Sequence, residues 1–186
     1  MIVILSGVSG AGKDTIKRIL MGKDGRIKTL PSYTTREKRV NEIEGQNYYY
    51  VSKEKFKEMI DNNEFYEYSV HHGNYYGTNR KLLNERIKNN IVLKDIDVNG
   101  TEDLLKIFRG TDIKIISIFL NISKEEMLRR LENRDDKLKQ EEIELRMNRY
   151  DYEMNHIGIY DYVIKNEDAE KTSNIILYII KREQEQ

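Results

Sequence analysis

The stretch GVSGAGKDT, residues 7 to 15, nearly matches a phosphate-binding loop. Gly7, Gly12 and Lys13 occupy the positions that the pattern G-x-x-x-x-G-K-[ST] requires, but Asp14 stands where the pattern has a hydroxyl residue. In such a loop, backbone N–H groups and the N-terminus of the following helix bind phosphate oxygens, and the lysine ammonium binds the terminal phosphates. The stretch therefore predicts a site for a nucleoside triphosphate, with a glycine-rich structural turn as the alternative.

Asp14 has two interpretations that stay open. The residue after it is Thr15, so that GKDT keeps a hydroxyl one position later. An acidic side chain in the first turn of a helix is stabilised by the helix dipole, by about 0.3–1 kcal/mol. The other interpretation is that the Asp14 carboxylate binds the water molecules of a magnesium ion. We expect Asp14 to change the metal requirement of the site without abolishing binding.

A second group of candidates follows in SYTTREKRVNEIEGQNY and EFYEYSVHHGNYYGT. Arginine supplies charged donors that bind two oxygens at once, and tyrosine hydroxyls add neutral donors, which together suit a phosphate monoester. The donors are Arg36, Arg39, Tyr48 and Tyr76. A solvated basic turn and a tyrosine-rich packing face are the alternative interpretation of these two segments.

The elements around these motifs alternate between strand and helix. Residues 2 to 6 indicate a buried strand before the loop, and residues 13 to 22 a helix after it. After a β-prone region from Ser32 to Tyr76, the alternation resumes with the strands NIVLKDIDV, DIKIISIFLNI and YDYVIKN. A helix over SKEEMLRRLENR is predicted to begin with a capping box of Ser123 and Glu126. This order predicts an α/β fold with a parallel sheet and one β-rich insertion.

Composition excludes several classes of protein. The 32 Lys and Arg residues balance 32 Asp and Glu residues, and a net charge of zero argues against a general nucleic-acid binder. The absence of cysteine excludes disulfides, thiolate metal sites and a cysteine nucleophile, and favours an intracellular, cytoplasmic enzyme. No apolar run approaches the roughly 20 residues of a membrane span, so no membrane partner is expected. His71, His72 and His156 lack a metal-ligand spacing.

Short motifs in a fixed order resemble the guanylate kinase family over nearly the whole chain. They include SYTTR, GQNYYYVS, NNEFYEY, HGNYYGT, DIDVNG, SIFL, RRLENR and DYVIKN. The resemblance implies one guanylate kinase-like domain over residues 1–186. It implies a P-loop kinase core with a parallel sheet flanked by helices (1–31 and 91–186), an inserted, mostly antiparallel GMP-binding lobe (about 32–90) and a helical lid (about 130–146).

The resemblance also implies magnesium-dependent transfer of the γ-phosphoryl group of ATP to GMP or dGMP, a reaction of purine nucleotide metabolism. The ATP-binding positions of the family match Gly7, Ser9, Gly10, Ala11, Gly12, Lys13, Asp14, Thr15 and Asn166. Its GMP-binding positions match Ser32, Arg36, Arg39, Tyr48, Glu67, Tyr76, Thr78 and Asp97. Its catalytic positions match Lys13, Arg36, Arg130, Arg134 and Arg146. The candidate for a metal contact, through water, is Asp14.

Two of these residues suit guanine chemically. Guanine presents N1–H and its exocyclic amine as adjacent donors, so a carboxylate such as Glu67 accepts from both, while adenine offers no such pair. A hydroxyl such as Thr78 can donate to O6. AMP would leave Glu67 unpaired, at a cost of roughly 1–3 kcal/mol or more.

The sequence departs from the family in places, and two other functions stay open. REKRVNE lacks the proline and glycine that are common in that segment, and Asn99 stands where the family usually has glutamine. The alternatives are a nucleoside monophosphate kinase with another acceptor base and a non-catalytic guanylate-kinase-like binding domain of the kind found in scaffold proteins. An intact Lys13 favours the enzyme. The oligomeric state is not predicted.

Overall fold

The computed structural model describes residues 1–40, 42–71, 73–133 and 139–185. The chain divides into two compact units. The first unit consists of Met1–Ile4 and Arg26–Ile115, and the second of Leu5–Gly25 and Ile116–Gln186. The first unit contains the predicted GMP-binding lobe, and the second contains the glycine-rich loop (residues 7–12) with the helix that follows it.

Two sheets organise the chain. The strand β1 (Ile2–Gly7) belongs to both units and lies at the centre of a five-stranded sheet with the order β2-β7-β1-β8-β9. The pairings of β2 with β7 and of β8 with β9 are parallel. The other sheet has the order β4-β3-β6-β5, in which β6 runs antiparallel to both β3 and β5 while β3 and β4 are parallel. The predicted α/β fold class, with a parallel sheet and a mostly antiparallel insertion, is confirmed.

The elements of the first unit follow one another from β2 to α4. Its further strands are β2 (Ile27–Thr29), β3 (Ser32–Thr34), β4 (Tyr48–Tyr50), β5 (Phe65–His71), β6 (Asn74–Asn79) and β7 (Ile91–Asp95). Its helices are α2 (Lys53–Asp61), α3 (Arg80–Ile87) and α4 (Val98–Phe108).

Two apolar clusters stabilise the first unit. One contains Val92 of β7 together with Leu104 and Phe108, which share one face of α4. The other forms where Phe56 of α2 stacks on Phe65 of β5, with ring centroids 4.5 Å apart. Burial of large apolar side chains is the dominant favourable contribution to folding. Here it holds together the strands and helices of the first unit, which also carry the polar residues predicted to bind GMP.

The second unit surrounds the glycine-rich loop with helices. Its further strands are β8 (Ile115–Asn121, whose first residue belongs to the first unit) and β9 (Tyr162–Lys165). Its helices are α1 (Lys13–Lys23), α5 (Lys124–Glu132), α6 (Gln140–Asn155), a 3-10 helix (Ile157–Ile159) and α7 (Ala169–Glu185). The buried side chains of α1 and α7 recur at helical spacing, which places them on one face of each helix.

Some local predictions differ from the structure. The short elements β2 and α3 were not predicted. Ser123 caps α5 by accepting from the backbone N–H of Glu126 at 3.2 Å, but the Glu126 carboxylate accepts from Arg129 and Arg130, so the predicted capping box is formed only on its Ser123 side. Within the described ranges, no helix has both the length and the apolar character that crossing a membrane requires.

Candidate active site

The glycine-rich loop joins β1 to α1 in a conformation that depends on glycine. Gly10 and Gly12 have φ angles of 73° and 88°, in the left-handed region that residues with a side chain rarely adopt. The Lys13 ammonium donates to the carbonyl of Gly7 at 2.8 Å, so the lysine lies across the loop. Since Lys13 is also the first residue of α1, the loop ends at a helix N-terminus, where unpaired N–H groups favour an anion.

Two of the predicted arginines contact this loop. Arg130 of α5 donates to the carbonyl of Gly10 at 3.2 Å and to the carbonyl of Asn166 at 3.1 Å. Arg146 of α6 donates to the Ser9 hydroxyl at 3.0 Å. The sequence separates these side chains by more than 100 positions from the loop, and the fold brings them to it. Arg134, the third predicted arginine of this region, lies outside the described residues, as does part of the predicted lid.

A cavity of about 350 Å³ lies beside Arg130 and Asn166, within the size range of small-molecule sites. The Asn166 side chain is 3% exposed, and its Nδ2 donates to the carbonyl of Ala11 at 2.7 Å. Its Oδ1 is buried and has no hydrogen-bond partner among the described residues. Buried amide oxygens are nearly always paired, so the unpaired Oδ1 makes Asn166 a candidate for contact with a ligand or an ordered water molecule.

Asp14 and Thr15 occupy the first turn of α1 and are exposed. The Asp14 carboxylate is 93% exposed and pairs with Lys17 at 2.7 Å. This placement agrees with the interpretation of Asp14 as a residue stabilised by the helix dipole, and it leaves the carboxylate accessible to solvent. In the part of the chain that the structure describes, no three His, Asp or Glu side chains form a cation site.

The first unit carries the predicted phosphate-monoester donors. Arg36, after β3, lies with its guanidinium 5.2 Å from the centroid of the Tyr48 ring, and Tyr48 packs edge-on against Tyr76 at 5.9 Å between centroids. These three predicted residues are thus brought together. Arg39 is exposed, on the loop that follows Arg36.

Glu42 organises this loop and was missing from the predicted site. Its carboxylate accepts from the Arg36 guanidinium at 2.6 Å, from the backbone N–H of Arg39 at 2.9 Å and from the Tyr50 hydroxyl at 2.8 Å. Burial raises the pKa of Glu42, but these hydrogen bonds outweigh burial and hold the pKa at about 2. Burial and the Glu42 carboxylate raise the pKa of Tyr50 to about 12. A signal existed in the sequence, since a carboxylate six residues after Arg36 can pair with it.

The Glu42 contacts predict a pH dependence of stability. Because the folded-state pKa is about 2 and the usual value is 4.5, these contacts stabilise the protein above pH 4.5, and the stabilisation is lost as pH falls from about 4.5 to about 2. We expect the Glu42→Gln variant to be less stable than the wild type at pH 6 and to approach it below pH 3. Urea unfolding followed by circular dichroism at a series of pH values measures this.

Glu37→Gln, on the same loop and exposed, is the matched control. We expect its stability to follow that of the wild type at every pH. A constant difference in stability between wild type and Glu42→Gln across the pH range would contradict the role given to Glu42.

Glu67 and Thr78 face each other on β5 and β6. Glu67 is 7% exposed and Thr78 is fully buried, and the Thr78 hydroxyl donates to Glu67 Oε1. Burial raises the pKa of Glu67, while the charge of Lys94 and the Thr78 hydrogen bond act in the opposite direction. The one hydroxyl proton of Thr78 goes to Glu67 here, so the predicted donation to a base O6 would require this hydroxyl to change its partner when a base binds.

The start of α4 lies next to Glu67. Asp97 caps this helix by accepting from the backbone N–H of Gly100 at 3.0 Å. A Cβ atom on Gly100 would lie 3.1 Å from Glu67 Oε2 and would collide with the Ile96 side chain, so position 100 has no room for a side chain. Asp97 is therefore a structural cap close to the predicted base site.

Lys94 joins this group and was also missed by the sequence prediction. It is 1% exposed on β7, and its ammonium donates to the Ser32 hydroxyl and to the carbonyl of Leu30. The only signal in the sequence is that a lysine interrupts the apolar run of a buried strand. Ser32, a predicted phosphate ligand, thus accepts a hydrogen bond from a buried ammonium.

Comparison with known proteins identifies the family. The family model described as guanylate kinase matches residues 1–183. The guanylate kinase of Prochlorococcus marinus subsp. pastoris is 40% identical over 97% of this chain and 96% of its own length, and that of Bartonella henselae is 40% identical over 97% of this chain and 82% of its own. The crystal structure of guanylate kinase from Anaplasma phagocytophilum covers 100% of this chain and 87% of its own with a TM-score of 0.80 at 32% identity. The chain belongs to the guanylate kinase family.

Proposed function

We propose that this chain is a magnesium-dependent guanylate kinase that transfers the γ-phosphoryl group of ATP to GMP or dGMP, giving ADP and GDP or dGDP. The observation that supports this acceptor most directly is the buried Glu67 carboxylate paired with Thr78. A carboxylate in a buried site complements the adjacent N1–H and amine donors of guanine, and no other common base presents that pair. Because ATP and GMP are cytoplasmic metabolites, we expect the enzyme to act in the cytoplasm.

The acceptor phosphate is assigned to the donors of the first unit. Ser32, Arg36, Tyr48 and Tyr76 supply one charged and three neutral donors, and we assign Arg39 to the same phosphate. Glu42 holds Arg36 in place before the nucleotide arrives, which reduces the entropy lost on binding.

The donor nucleotide is assigned to the second unit. The backbone N–H groups of the glycine-rich loop and the Lys13 ammonium would bind the β- and γ-phosphates. Arg130 and Arg146, which contact the loop, would stabilise the negative charge of the transferring group, and Arg134 has the same proposed role. The unpaired Oδ1 of Asn166 is suited to accept from the exocyclic amine of adenine.

The reaction is an in-line displacement. An oxygen of the GMP phosphate forms a bond to the γ-phosphorus as the bond from that phosphorus to the β–γ bridging oxygen breaks, and the electron pair leaves with ADP. The attacking oxygen is already ionised at neutral pH, so no general base is needed. The work of the protein is to position the two nucleotides and to stabilise charge. We propose that closure of the lid excludes water as a competing acceptor.

The residues at the loop are compatible with a magnesium ion that is bound mainly by the phosphate oxygens of ATP. Mg²⁺ keeps several waters and takes one or two protein ligands along with substrate phosphates. The exposed oxygens of Thr15 and Asp14 suit that role, Asp14 through water. When bound, the ion neutralises charge on the β- and γ-phosphates.

The role of Asp14 is testable by substitution. If the Asp14 carboxylate repels the triphosphate until magnesium neutralises it, we expect Asp14→Ser to lower the magnesium concentration needed for half-maximal activity by about twofold to fivefold, because ATP binding then depends less on the metal. A magnesium titration at fixed ATP measures this. Lys17→Ser, which removes the partner of Asp14, controls for the loss of the ion pair. An unchanged titration would leave Asp14 with its helix-dipole role alone.

A coupled assay of ADP release tests the proposed function as a whole. GMP, dGMP, AMP, UMP and dTMP are supplied in turn with magnesium and ATP. We expect turnover with GMP and dGMP and at least about a hundredfold lower kcat/KM with AMP, since AMP leaves a buried carboxylate unpaired. Preference for another base, or no activity at any magnesium concentration, would overturn the proposal.

A further inference from the structure

We propose that Lys94 is a positioning residue of the acceptor site, whose buried ammonium orients the Ser32 hydroxyl toward the acceptor phosphate and places a positive charge in the surroundings of Glu67. This inference rests on the proposed function, because it assigns a role within the GMP site. Lys94 lies on β7, while Ser32 begins β3 and Glu67 lies on β5, so that one side chain connects residues from three strands of the first unit.

The contact with Ser32 has a direction that follows from the chemistry of the groups. A lysine ammonium has three donors and no acceptor, so the Ser32 oxygen must accept from Lys94. The Ser32 proton is then available to donate to a third group. A phosphate oxygen is such an acceptor, and a serine that already accepts from a cation is polarised to donate more strongly. Lys94 also donates to the carbonyl of Leu30 at 3.3 Å, which fixes the position of the ammonium.

The relation to Glu67 is electrostatic. The groups that influence Glu67 from the packed elements are Lys94 on β7, Asp97 at the start of α4, Asp103 within α4 and the uncharged Thr78 on β6. Burial is the largest cause of the raised pKa of Glu67, and both aspartates also oppose its ionisation. Lys94 is the cation in this set. Without its charge, the pKa of Glu67 would rise further, and more of the carboxyl would be protonated when GMP binds.

The burial of Lys94 itself supports a function. Moving an ammonium out of water is unfavourable unless nearby groups compensate, and an apolar side chain of similar volume would suit a buried strand better. Lys94 is 1% exposed and directly follows three apolar, buried residues of β7, Ile91, Val92 and Leu93. A lysine at this place is therefore expected to contribute more than packing.

The test compares Lys94→Met with the wild type in steady-state kinetics against GMP. We expect KM for GMP to rise about tenfold while kcat changes less than about threefold and KM for ATP is unchanged, because binding of the acceptor is weakened. We also expect the acidic limb of the pH profile of kcat/KM for GMP to move up by about one pH unit. Lys81→Met, an exposed lysine on α3, is the matched control and should behave as wild type.

Ser32→Ala separates the two effects. If Lys94 acts on the phosphate through Ser32, the double variant Ser32→Ala/Lys94→Met should show a smaller rise in KM than the product of the two single rises. Competition by guanosine, which has no phosphate, should be weakened by Lys94→Met and unaffected by Ser32→Ala. Lys94→Gln, which keeps a donor without the charge, should move the acidic limb in the same direction as Lys94→Met.

Each outcome is decisive for Lys94. Folded Lys94→Met with unchanged KM for GMP and an unmoved acidic limb would overturn the inference and leave the proposed function intact. Failure of both Lys94→Met and Lys94→Gln to fold, judged by circular dichroism, would also overturn it, because Lys94 would then be required for folding. A wild-type protein that does not phosphorylate GMP would instead overturn the proposed function before any variant is considered.

Discussion

Glu67→Gln is expected to lower kcat/KM for GMP by about 10²-fold to 10³-fold and, at the same time, to raise the melting temperature. The amide keeps one acceptor but presents an NH₂ group to the second guanine donor, so that two donors face each other in a buried site. The stabilisation has a separate cause. Burial raises the folded-state pKa of Glu67, so its ionisation costs stability as pH rises above the unfolded value of 4.5 toward the folded value. Glutamine removes that cost at neutral pH.

The measurement combines turnover of GMP with thermal unfolding at pH 7.5. Glu85→Gln, on the exposed face of α3 in the same unit, is the control and should change neither quantity appreciably. A loss of activity together with a lower melting temperature would indicate that Glu67 is needed for folding, which contradicts the assignment. Retained activity would remove Glu67 from the base site.

Lys13→Met is expected to lower kcat by about 10²-fold to 10³-fold or more while leaving the fold intact. Lys13 is the charged residue that directly follows the glycine-rich loop and lies across it. Loss of one preorganised charged donor at a transferring phosphoryl group costs this much in related chemistry. The structural cost is small, because among the described residues the ammonium donates to two loop carbonyls, that of Gly7 at 2.8 Å and that of Val8 at 3.4 Å. Single-turnover measurement with saturating ATP and GMP separates the chemical step from binding.

Lys23→Met is the control for Lys13, because it removes an exposed lysine from the last turn of the same helix. We expect it to keep full activity. A Lys13→Met enzyme with more than a third of the wild-type kcat would show that the γ-phosphoryl group does not lie against this lysine.

The parts of the site that the sequence predicted are those with local causes. The turn of the glycine-rich loop follows from glycines at fixed spacing, and a strand before it with a helix after it completed the pattern. The alternation of strands and helices was enough to predict a parallel sheet. The grouping of Arg130 and Arg146 at the loop came from family resemblance, since no local rule brings residues that far apart in sequence together.

The parts that the sequence did not predict depend on tertiary contacts. The three hydrogen bonds to Glu42 form because the loop after Arg36 folds back on itself. Helix and strand propensities of single residues do not predict the conformation of such a loop. In the sequence, Lys94 is only a charged residue that interrupts the apolar run of a buried strand. Its hydrogen bond to Ser32 is visible only in the structure. The strand register puts Thr78 opposite Glu67, a pairing that the two separate sequence motifs do not reveal. The elements β2 and α3 are too short to give a periodic pattern.

Gly100 leaves room for the Glu67 carboxylate at the start of α4. A Cβ atom at this position would collide with the Ile96 side chain and would lie 3.1 Å from Glu67 Oε2. In the proposed base site, the position of the acidic group therefore depends on a methyl group that is missing from the main chain beside it. Enlarging that one residue is expected to weaken GMP binding without removing any group that is proposed to hydrogen-bond to the base.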